Sequence, residues 1–336
     1  MKNGLYCSGG HDYVAIGSNG DVAPCNAFAR TPKYALGNLF TDARVTLRGG
    51  HEFFRCPIQE CHLPCDRHWA RKQVWEGGEL ADTQDIHNPV FRAGKARPLT
   101  FLWAPTWKCN YDCAYCDLPV PKDERPAADW VAAFGRFFDA NGIDGGLAEI
   151  TGGEPLFYKD IGSVFTFLTQ RGFMLQVTTN LSGDVQNALV RAATPDKFTV
   201  ISCSLHPSVK HFRWEQFRGR VLSLKAYGYN VAVNFVGHPD QVMLAPEYHA
   251  FFAEHGVPLV LIPMEGEFNG VKFGSIWDYP PDMQDVFAKI APEWVKGANR
   301  FKEGKRTSLP MLNESHPRGW PASVWKHFRK LLTPRG

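Results

Sequence analysis

Three cysteines in one short run are the residues of this sequence best suited to chemistry. Cys109, Cys113 and Cys116 are separated by three and two residues and follow an apolar, strand-like stretch. A cluster that only transfers electrons is normally held by four cysteine thiolates. Three thiolates from one loop leave one iron of a four-iron cubane without a protein ligand. The spacing therefore predicts an iron–sulfur cluster with one open, reactive corner.

Zinc is the alternative occupant of this loop, because zinc also binds cysteines at such spacings. A structural zinc ion needs a fourth ligand nearby. Four neighbours of the cysteines do not supply a good one; they are Asn110, Tyr111, Asp112 and Ala114. The sequence therefore favours the cluster.

The elements that must position this loop form a regular alternation of strands and helices from residue 99 onward. Strands are predicted at 99–105, 147–151, 174–180, 198–205, 230–236 and 258–263. Helices are predicted near 125–141, 157–171, 183–193, 212–227 and 243–255, and four of them end at a glycine: Gly142, Gly172, Gly228 and Gly256. Six such units predict an α/β fold with a parallel sheet, in the form of a partial (βα)6 TIM-like barrel. Ligands of such folds bind at the carboxyl ends of the strands.

A second motif, Thr151-Gly-Gly-Glu-Pro155, follows the second predicted strand. Paired glycines at a strand end allow a ligand to approach the backbone closely, although a Gly-Gly pair alone is usually only a turn. The order of the two motifs, each at a strand end, is far more specific. Over residues 99–265 the chain resembles the radical S-adenosylmethionine (radical SAM) enzymes.

The resemblance implies a cofactor and a reaction. In that family the three loop cysteines hold a [4Fe-4S] cluster, and the methionine portion of S-adenosylmethionine chelates the open iron. One electron then splits the sulfonium into methionine and a 5′-deoxyadenosyl radical, which abstracts a hydrogen atom from the substrate. Tyr115 matches the aromatic residue that packs beside the adenine. Gly152, Gly153 and Glu154 match the motif that orders the methionine amino group.

Side-chain alternation along the strands predicts further pocket residues, because alternate side chains face opposite sides of a sheet. Ser202 and Ser204 are expected to point into the barrel, and Cys203 is expected to be a buried thiol facing the helices. Inward positions expected to line the cofactor site, with Ser204 and Asn234 reaching the ribose or carboxylate of S-adenosylmethionine, are Thr178, Asn180, Ser204 and Asn234. Candidates for substrate contact or proton transfer, which could equally line the rim, are His206, His238 and Glu265.

The first 70 residues contain five of the nine cysteines: Cys7, Cys25, Cys56, Cys61 and Cys65. This unit, with an Asn-Gly hairpin near residues 13–22, resembles the SPASM or twitch auxiliary-cluster domains, although here it precedes the barrel. Five cysteines are too few for two clusters, so one auxiliary [4Fe-4S] cluster is expected. Its predicted ligands are Cys7, Cys25, Cys61 and Cys65, with Cys56 as spare. A structural zinc knot is the alternative.

The predicted organisation is therefore a SPASM/twitch-like domain at 1–75, a linker at 76–98, the barrel at 99–275 and a basic C-terminal helical extension at 276–336. Hydrophobic residues make up 44% and charged residues 21% of the chain, as in soluble globular proteins. The formal charge of +3 is too small to indicate a nucleic-acid partner. No export signal or membrane-spanning stretch is recognisable, so a cytoplasmic location is expected.

The function predicted from these motifs is that of a radical SAM oxidoreductase or transferase. Its expected substrate is a small metabolite (a sugar, nucleotide or amino-acid derivative) or a peptide, and its expected reductant is a flavodoxin or ferredoxin-type protein. The alternative is a non-catalytic iron–sulfur electron carrier or a zinc-binding module, which would have a complete set of cysteine ligands in the loop.

Overall fold

A computed structural model describes residues 5–7, 9–11, 13–28, 32–49, 54–55, 72–76, 79–82, 99–116 and 124–292. Its strands are β1 (Leu5–Cys7), β2 (Tyr13–Ile16), β3 (Asp21–Ala23), β4 (Gly37–Asn38), β5 (Phe54–Arg55), β6 (Lys72–Glu76), β7 (Glu79–Asp82), β8 (Leu99–Trp103), β9 (Gly146–Ile150), β10 (Phe173–Thr179), β11 (Phe198–Leu205), β12 (Val231–Gly237), β13 (Leu259–Pro263), β14 (Gly266–Phe268) and β15 (Val271–Phe273). Nine of these strands form the central sheet, in the order β13-β12-β11-β10-β9-β8-β2-β3-β4.

The helices are α1 (Ala127–Asn141), α2 (Ile161–Gln170), α3 (Trp214–Ala226), α4 (Ala245–Glu254) and α5 (Pro281–Ile290). Strands β8 to β13 pair in parallel and in chain order, which confirms the predicted α/β partial barrel. One predicted helix, 183–193, is instead a single π turn at Gln186–Val190. The chain turns again at Pro195–Lys197, so the connection has room for little more than one turn. Within the described ranges, no helix combines the length and apolar character of a membrane span.

The hydrophobic core lies between the sheet and the helices. On β8 the side chains of Phe101 and Trp103 are fully buried and face α1, where Trp103 packs edge-on against Trp130 at 5.2 Å between ring centroids. Aromatic pairs of this geometry add stability beyond the area that they bury. Cys203 lies in the same core with none of its surface exposed, as the strand alternation predicts. The intervening side chains of each strand therefore face the barrel interior.

The N-terminal hairpin extends the sheet of the barrel. Strands β2 and β3 are antiparallel and are joined by a turn at residues 17–20, which confirms the predicted hairpin. Strand β2 also pairs in parallel with β8, with Tyr13 opposite Thr100 and Ile16 opposite Trp103. This pairing covers the edge of the barrel's first strand, where unpaired backbone groups would otherwise be open to association. Whether residues 1–75 form a separate domain stays a prediction.

A second, antiparallel sheet has the order β5-β1-β6-β7 and contains Cys7 at the end of β1. Cys25 is buried just after β3, at the end of the hairpin that joins the central sheet. Cys56, Cys61 and Cys65 lie outside the described residues. The predicted linker is described only at Glu76 and in β7, and the C-terminal extension only to residue 292. The auxiliary cluster and its ligand set therefore stay predictions.

Candidate active site

The three-cysteine loop follows β8 and lies at the carboxyl edge of the parallel strands. Cys109 and Cys116 are exposed and Cys113 is half-buried. The pKa of Cys113 is raised to about 11. Burial is the largest cause, and the charges of Cys116 and Cys109 also raise the pKa. The thiols are thus close enough to repel one another when ionised. Among the described residues, no group of three His, Cys, Asp or Glu side chains converges tightly enough for a single metal ion.

Nitrogen atoms lie close to two of the sulfur atoms. The backbone N–H of Tyr111 donates to Cys109 Sγ at 3.4 Å, and Asn180 Nδ2 lies 3.8 Å from the same sulfur. Cys113 Sγ lies 3.5 Å from Nδ1 of His206, at the end of β11. Donors placed around sulfur are typical of cysteines that act as iron–sulfur cluster ligands.

The Gly-Gly-Glu loop after β9 is joined to the cysteine loop through the backbone. The N–H of Gly153 donates to Thr106 O, and the N–H of Glu154 donates to Lys108 O, both at 2.9 Å. A Cβ on Gly153 would lie 2.1 Å from Lys108 O, and one on Gly152 would lie 2.5 Å from Thr106 O. The glycines are therefore needed for the close contact of two loops, whereas the sequence suggested close contact with a ligand.

Glu154 is a buried carboxylate that joins this loop to the end of β10. Its Oε1 accepts hydrogen bonds from Leu156 N at 2.9 Å and from Thr179 Oγ1 at 2.6 Å. Its Oε2 accepts one from Asn180 N at 2.6 Å. Burial raises the pKa of Glu154, and these three hydrogen bonds oppose that rise. Most of the carboxylate's hydrogen-bonding capacity is thus used within the protein.

The turn after β10 lies against the cysteine loop. Asn180 Nδ2 donates to Asn110 Oδ1 at 3.1 Å, and Ser182 Oγ donates to the same oxygen at 2.9 Å. Leu181 between them has a left-handed backbone, with φ of 58°. That conformation costs a non-glycine residue about 1–2 kcal/mol. A guanidinium of α3, Arg220, donates to the Leu181 carbonyl and helps to hold the turn.

An aromatic cluster lies beside Cys113 and consists of Tyr111, Tyr115, His206, His238 and Phe268. Tyr115 lies between the two histidines, with ring centroids 6.0 Å from each. Its hydroxyl lies 2.5 Å from Nδ1 of His206. Tyr111 meets the His206 ring edge-on at 5.8 Å. Burial lowers the pKa of His206 to about 4, so its ring is neutral near pH 7.

His238 has an unusual hydrogen-bonding state. Only 4% of its surface is exposed, and its ring packs edge-on against Phe268 at 4.4 Å. Nδ1 accepts a hydrogen bond from the backbone N–H of Asp240 at 3.3 Å, so the ring proton belongs on Nε2. Nε2 is buried and has no hydrogen-bond partner among the residues that the structure describes. Burial also lowers the pKa of this histidine, which keeps the ring neutral.

Polar side chains line the barrel interior on three neighbouring strands. Thr178 of β10 is opposite Ser202 of β11, and Ser204 of β11 is opposite Asn234 of β12. Thr178, Ser204 and Asn234 are half-buried, which leaves them open to a ligand, whereas Ser202 is only 9% exposed. The structure therefore brings the predicted inward-facing residues to one side of the barrel.

Glu265 is exposed in the short connection between β13 and β14. Within the described part of the chain, no hydrogen bond or ion pair joins it to the other predicted site residues. The sequence did not single out the roles of four residues that complete the site: Tyr111, Ser182, Arg220 and Phe268. Only Tyr111 lies within a recognisable motif, so it alone could have been found from the sequence.

The donor set of the cysteine loop fits an iron–sulfur cluster. Two of its three thiols are exposed, so a cluster can reach them from solvent without disturbing the core. Cys109 Sγ has N–H groups directed at it, and Nδ1 of His206 lies beside Cys113 Sγ. A cubane spreads its cysteine ligands over separate corners, and it therefore needs no tight convergence of three sulfurs.

Comparison with known proteins gives a fold likeness only. No family model matches this chain. The structure is similar to that of Streptococcus suis SuiB bound to the precursor peptide SuiA, with 18% identity and a TM-score of 0.45 over 61% of this chain and 47% of SuiB. It is also similar to native anSMEcpe with bound AdoMet, with 15% identity and a TM-score of 0.45 over 63% of this chain and 64% of that protein. The chain thus spans about half the length of SuiB. Similarity of this degree does not assign an activity.

Proposed function

We propose that this chain is a radical SAM enzyme that holds a [4Fe-4S] cluster on Cys109, Cys113 and Cys116. The observation that carries the proposal is that the two motifs lie together at the carboxyl edge of the sheet. The cysteine loop and the Gly-Gly-Glu loop are hydrogen-bonded to each other through the backbone, and the aromatic cluster lies against them. Reactive sites of parallel α/β folds form at this edge.

When bound, the cluster supplies the electron that splits S-adenosylmethionine into methionine and a hydrogen-abstracting 5′-deoxyadenosyl radical. The chain's own residues bind and orient that cosubstrate. The half-buried side chains of Thr178, Ser204 and Asn234 offer hydrogen bonds to its ribose and carboxylate. The ring of Tyr115 offers a flat surface for its adenine. Glu154 fixes the position of the loop that faces its methionine portion.

The finer assignments belong to the same proposal. The enzyme is an oxidoreductase or transferase that acts on a small metabolite or a peptide, with a flavodoxin or ferredoxin-type reductant. Its second [4Fe-4S] cluster is held by four of the five N-terminal cysteines. His206, His238 and Glu265 are the residues proposed to contact substrate or move protons. SuiB and anSMEcpe were crystallised with peptides and with S-adenosylmethionine, and these are therefore the first ligands to test.

Replacing the loop cysteines tests the proposal directly. Anaerobically reconstituted wild-type protein, reduced with dithionite, is expected to convert S-adenosylmethionine to 5′-deoxyadenosine. Cys109→Ala, Cys113→Ala and Cys116→Ala should each abolish this product, because the loop has no other thiolate to replace the lost ligand. The measurement is 5′-deoxyadenosine by liquid chromatography, together with iron per chain. Wild type is expected to bind about eight irons. The triple variant, in which all three loop cysteines are replaced by alanine, is expected to bind about four.

Cys203→Ala is the matched control, because it removes a thiol that lies in the core. This variant should lose some stability and keep its full iron content and its cleavage activity. Formation of 5′-deoxyadenosine by the triple variant would contradict the proposal. So would a wild-type protein that binds one zinc at the loop and does not respond to S-adenosylmethionine.

His238 gives a prediction that needs no ligand. A buried donor without an acceptor destabilises a protein by about 1–3 kcal/mol, because it has lost its hydrogen bonds to water. His238→Phe removes that donor and retains a ring against Phe268. The cluster-free variant is therefore expected to be at least as stable as the wild type, in spite of the lost bond to Asp240. Urea unfolding at equilibrium measures the difference.

His255→Phe is the control for this prediction. The Nδ1 of His255 is hydrogen-bonded to Phe251 O at 2.8 Å, so its loss should lower stability by about 0.5–1.5 kcal/mol. A clear loss of stability in His238→Phe would show that the histidine is a structural residue. Unchanged or higher stability supports a donor that is kept for a ligand.

A further inference from the structure

The position of His206 suggests a role that the cysteine motif alone does not reveal. Its Nδ1 lies 2.5 Å from the Tyr115 hydroxyl and 3.5 Å from Cys113 Sγ. The ring is stacked on Tyr115 at an interplanar angle of 28° and meets Tyr111 edge-on. Contacts on two sides fix the ring's orientation, so Nδ1 stays directed at the hydroxyl and the sulfur.

The hydrogen bonds among Cys113, Tyr115 and His206 depend on which of their polar atoms carry a hydrogen. Cys113 as a cluster ligand is a thiolate, which accepts hydrogen bonds and donates none. The Tyr115 hydroxyl has one hydrogen, and a neutral imidazole has one on either nitrogen. With that hydrogen on Nε2, the Tyr115 hydroxyl would donate to Nδ1, and neither group would donate to the thiolate. With the hydrogen on Nδ1, the imidazole donates to both the hydroxyl oxygen and the sulfur, and the tyrosine hydroxyl can donate its own hydrogen to the sulfur.

We propose that His206 donates its Nδ1–H to the sulfur of Cys113, with the Tyr115 hydroxyl sharing the contact, and thereby raises the reduction potential of the cluster. The inference rests on the proposed function, since it requires a cluster on the loop. Reduction adds negative charge to a cluster and its thiolates, and hydrogen bonds to the sulfurs stabilise that charge. His206 is thus a positioning residue of the cluster, supplied by β11 rather than by the motif.

The test uses reconstituted full-length protein and a redox titration followed by electron paramagnetic resonance. The cluster on the loop is identified by the part of the signal that changes when S-adenosylmethionine is added. His206→Phe keeps a flat ring and removes the donor. At a given potential the ratio of reduced to oxidised cluster should fall about tenfold, which for one electron is about 59 mV. His206→Asn places an amide N–H near the same position and should recover most of the loss.

His255→Phe, at the end of α4, is the matched control and should leave the potential unchanged. A His206→Phe variant with a full iron content and the wild-type potential would overturn the inference while leaving the proposed function intact. A wild-type protein that binds no cluster on the loop would overturn both.

A second measurement on the wild type does not depend on the folding of any variant. Protein labelled with 15N-histidine should show a weak nitrogen coupling to the reduced, S-adenosylmethionine-responsive cluster. No such coupling would overturn the inference, because Nδ1 of His206 would then not be hydrogen-bonded to a ligand of the cluster.

Discussion

Gly153→Ala is expected to lower the free energy of unfolding by about 3 kcal/mol or more, since the clash cannot be relieved by a side-chain rotation. The new Cβ would lie 2.1 Å from the carbonyl oxygen and 2.6 Å from the carbonyl carbon of Lys108. Both loops would have to separate by more than 1 Å, which would break the hydrogen bonds that join them. The cysteine loop would then lose its support, so iron binding should fall together with stability. Urea unfolding and iron content measure the two effects.

Gly219→Ala provides a control with the opposite expected sign. Gly219 lies on the exposed side of α3, and no atom of the described residues lies within 4 Å of a Cβ built there. Alanine is preferred over glycine inside a helix by about 0.5–1 kcal/mol, so this variant should be more stable than the wild type. If Gly153→Ala were as stable as wild type, the two loops could not be packed as closely as described.

The sequence predicted the barrel strands to within two residues because each strand is a short, largely apolar run, and most of them are bounded by a polar residue, glycine or proline. It predicted the cysteine loop and the Gly-Gly-Glu loop because their residues are close together in the chain. The parallel pairing of β2 with β8 was not predictable in this way. It joins segments more than 80 residues apart, and neither segment carries a local sign of its neighbour.

The end of β10 contains a sequence pattern from which one further contact of the site could have been predicted. Alternation places Leu175, Val177 and Thr179 on the face that packs against the helices, and all three are buried. A threonine on an otherwise apolar face needs a hydrogen-bond partner. That partner is Glu154, which the resemblance to radical SAM enzymes had assigned to the cosubstrate. No comparable pattern predicts the aromatic cluster, because Phe268 contacts His238 from a separate hairpin.

Glu154→Gln is expected to lower the free energy of unfolding by about 2–4 kcal/mol, because a buried amide cannot accept all three hydrogen bonds. If the amide oxygen takes the place of Oε1, it keeps the bonds from Leu156 N and Thr179 Oγ1. The amide nitrogen then takes the place of Oε2, which lies 2.6 Å from Asn180 N in the wild type. Two hydrogen-bond donors would therefore face each other at that short distance. In the reverse orientation the Thr179 hydroxyl can accept from the amide, but the amide nitrogen then faces the donor Leu156 N. Equilibrium unfolding in urea at constant pH measures the loss.

Glu247→Gln makes the same chemical change at an exposed position in the first turn of α4 and should cost under about 1 kcal/mol. The comparison separates the burial of Glu154 from the loss of a negative charge. If the two variants lost equal stability, the carboxylate of Glu154 would not be the link between the motif loop and β10. It would then be available to bind the methionine amino group, as the sequence resemblance implies. A large loss confined to Glu154→Gln supports a carboxylate whose main task is to fix the loop, so that nearby backbone groups meet the cosubstrate.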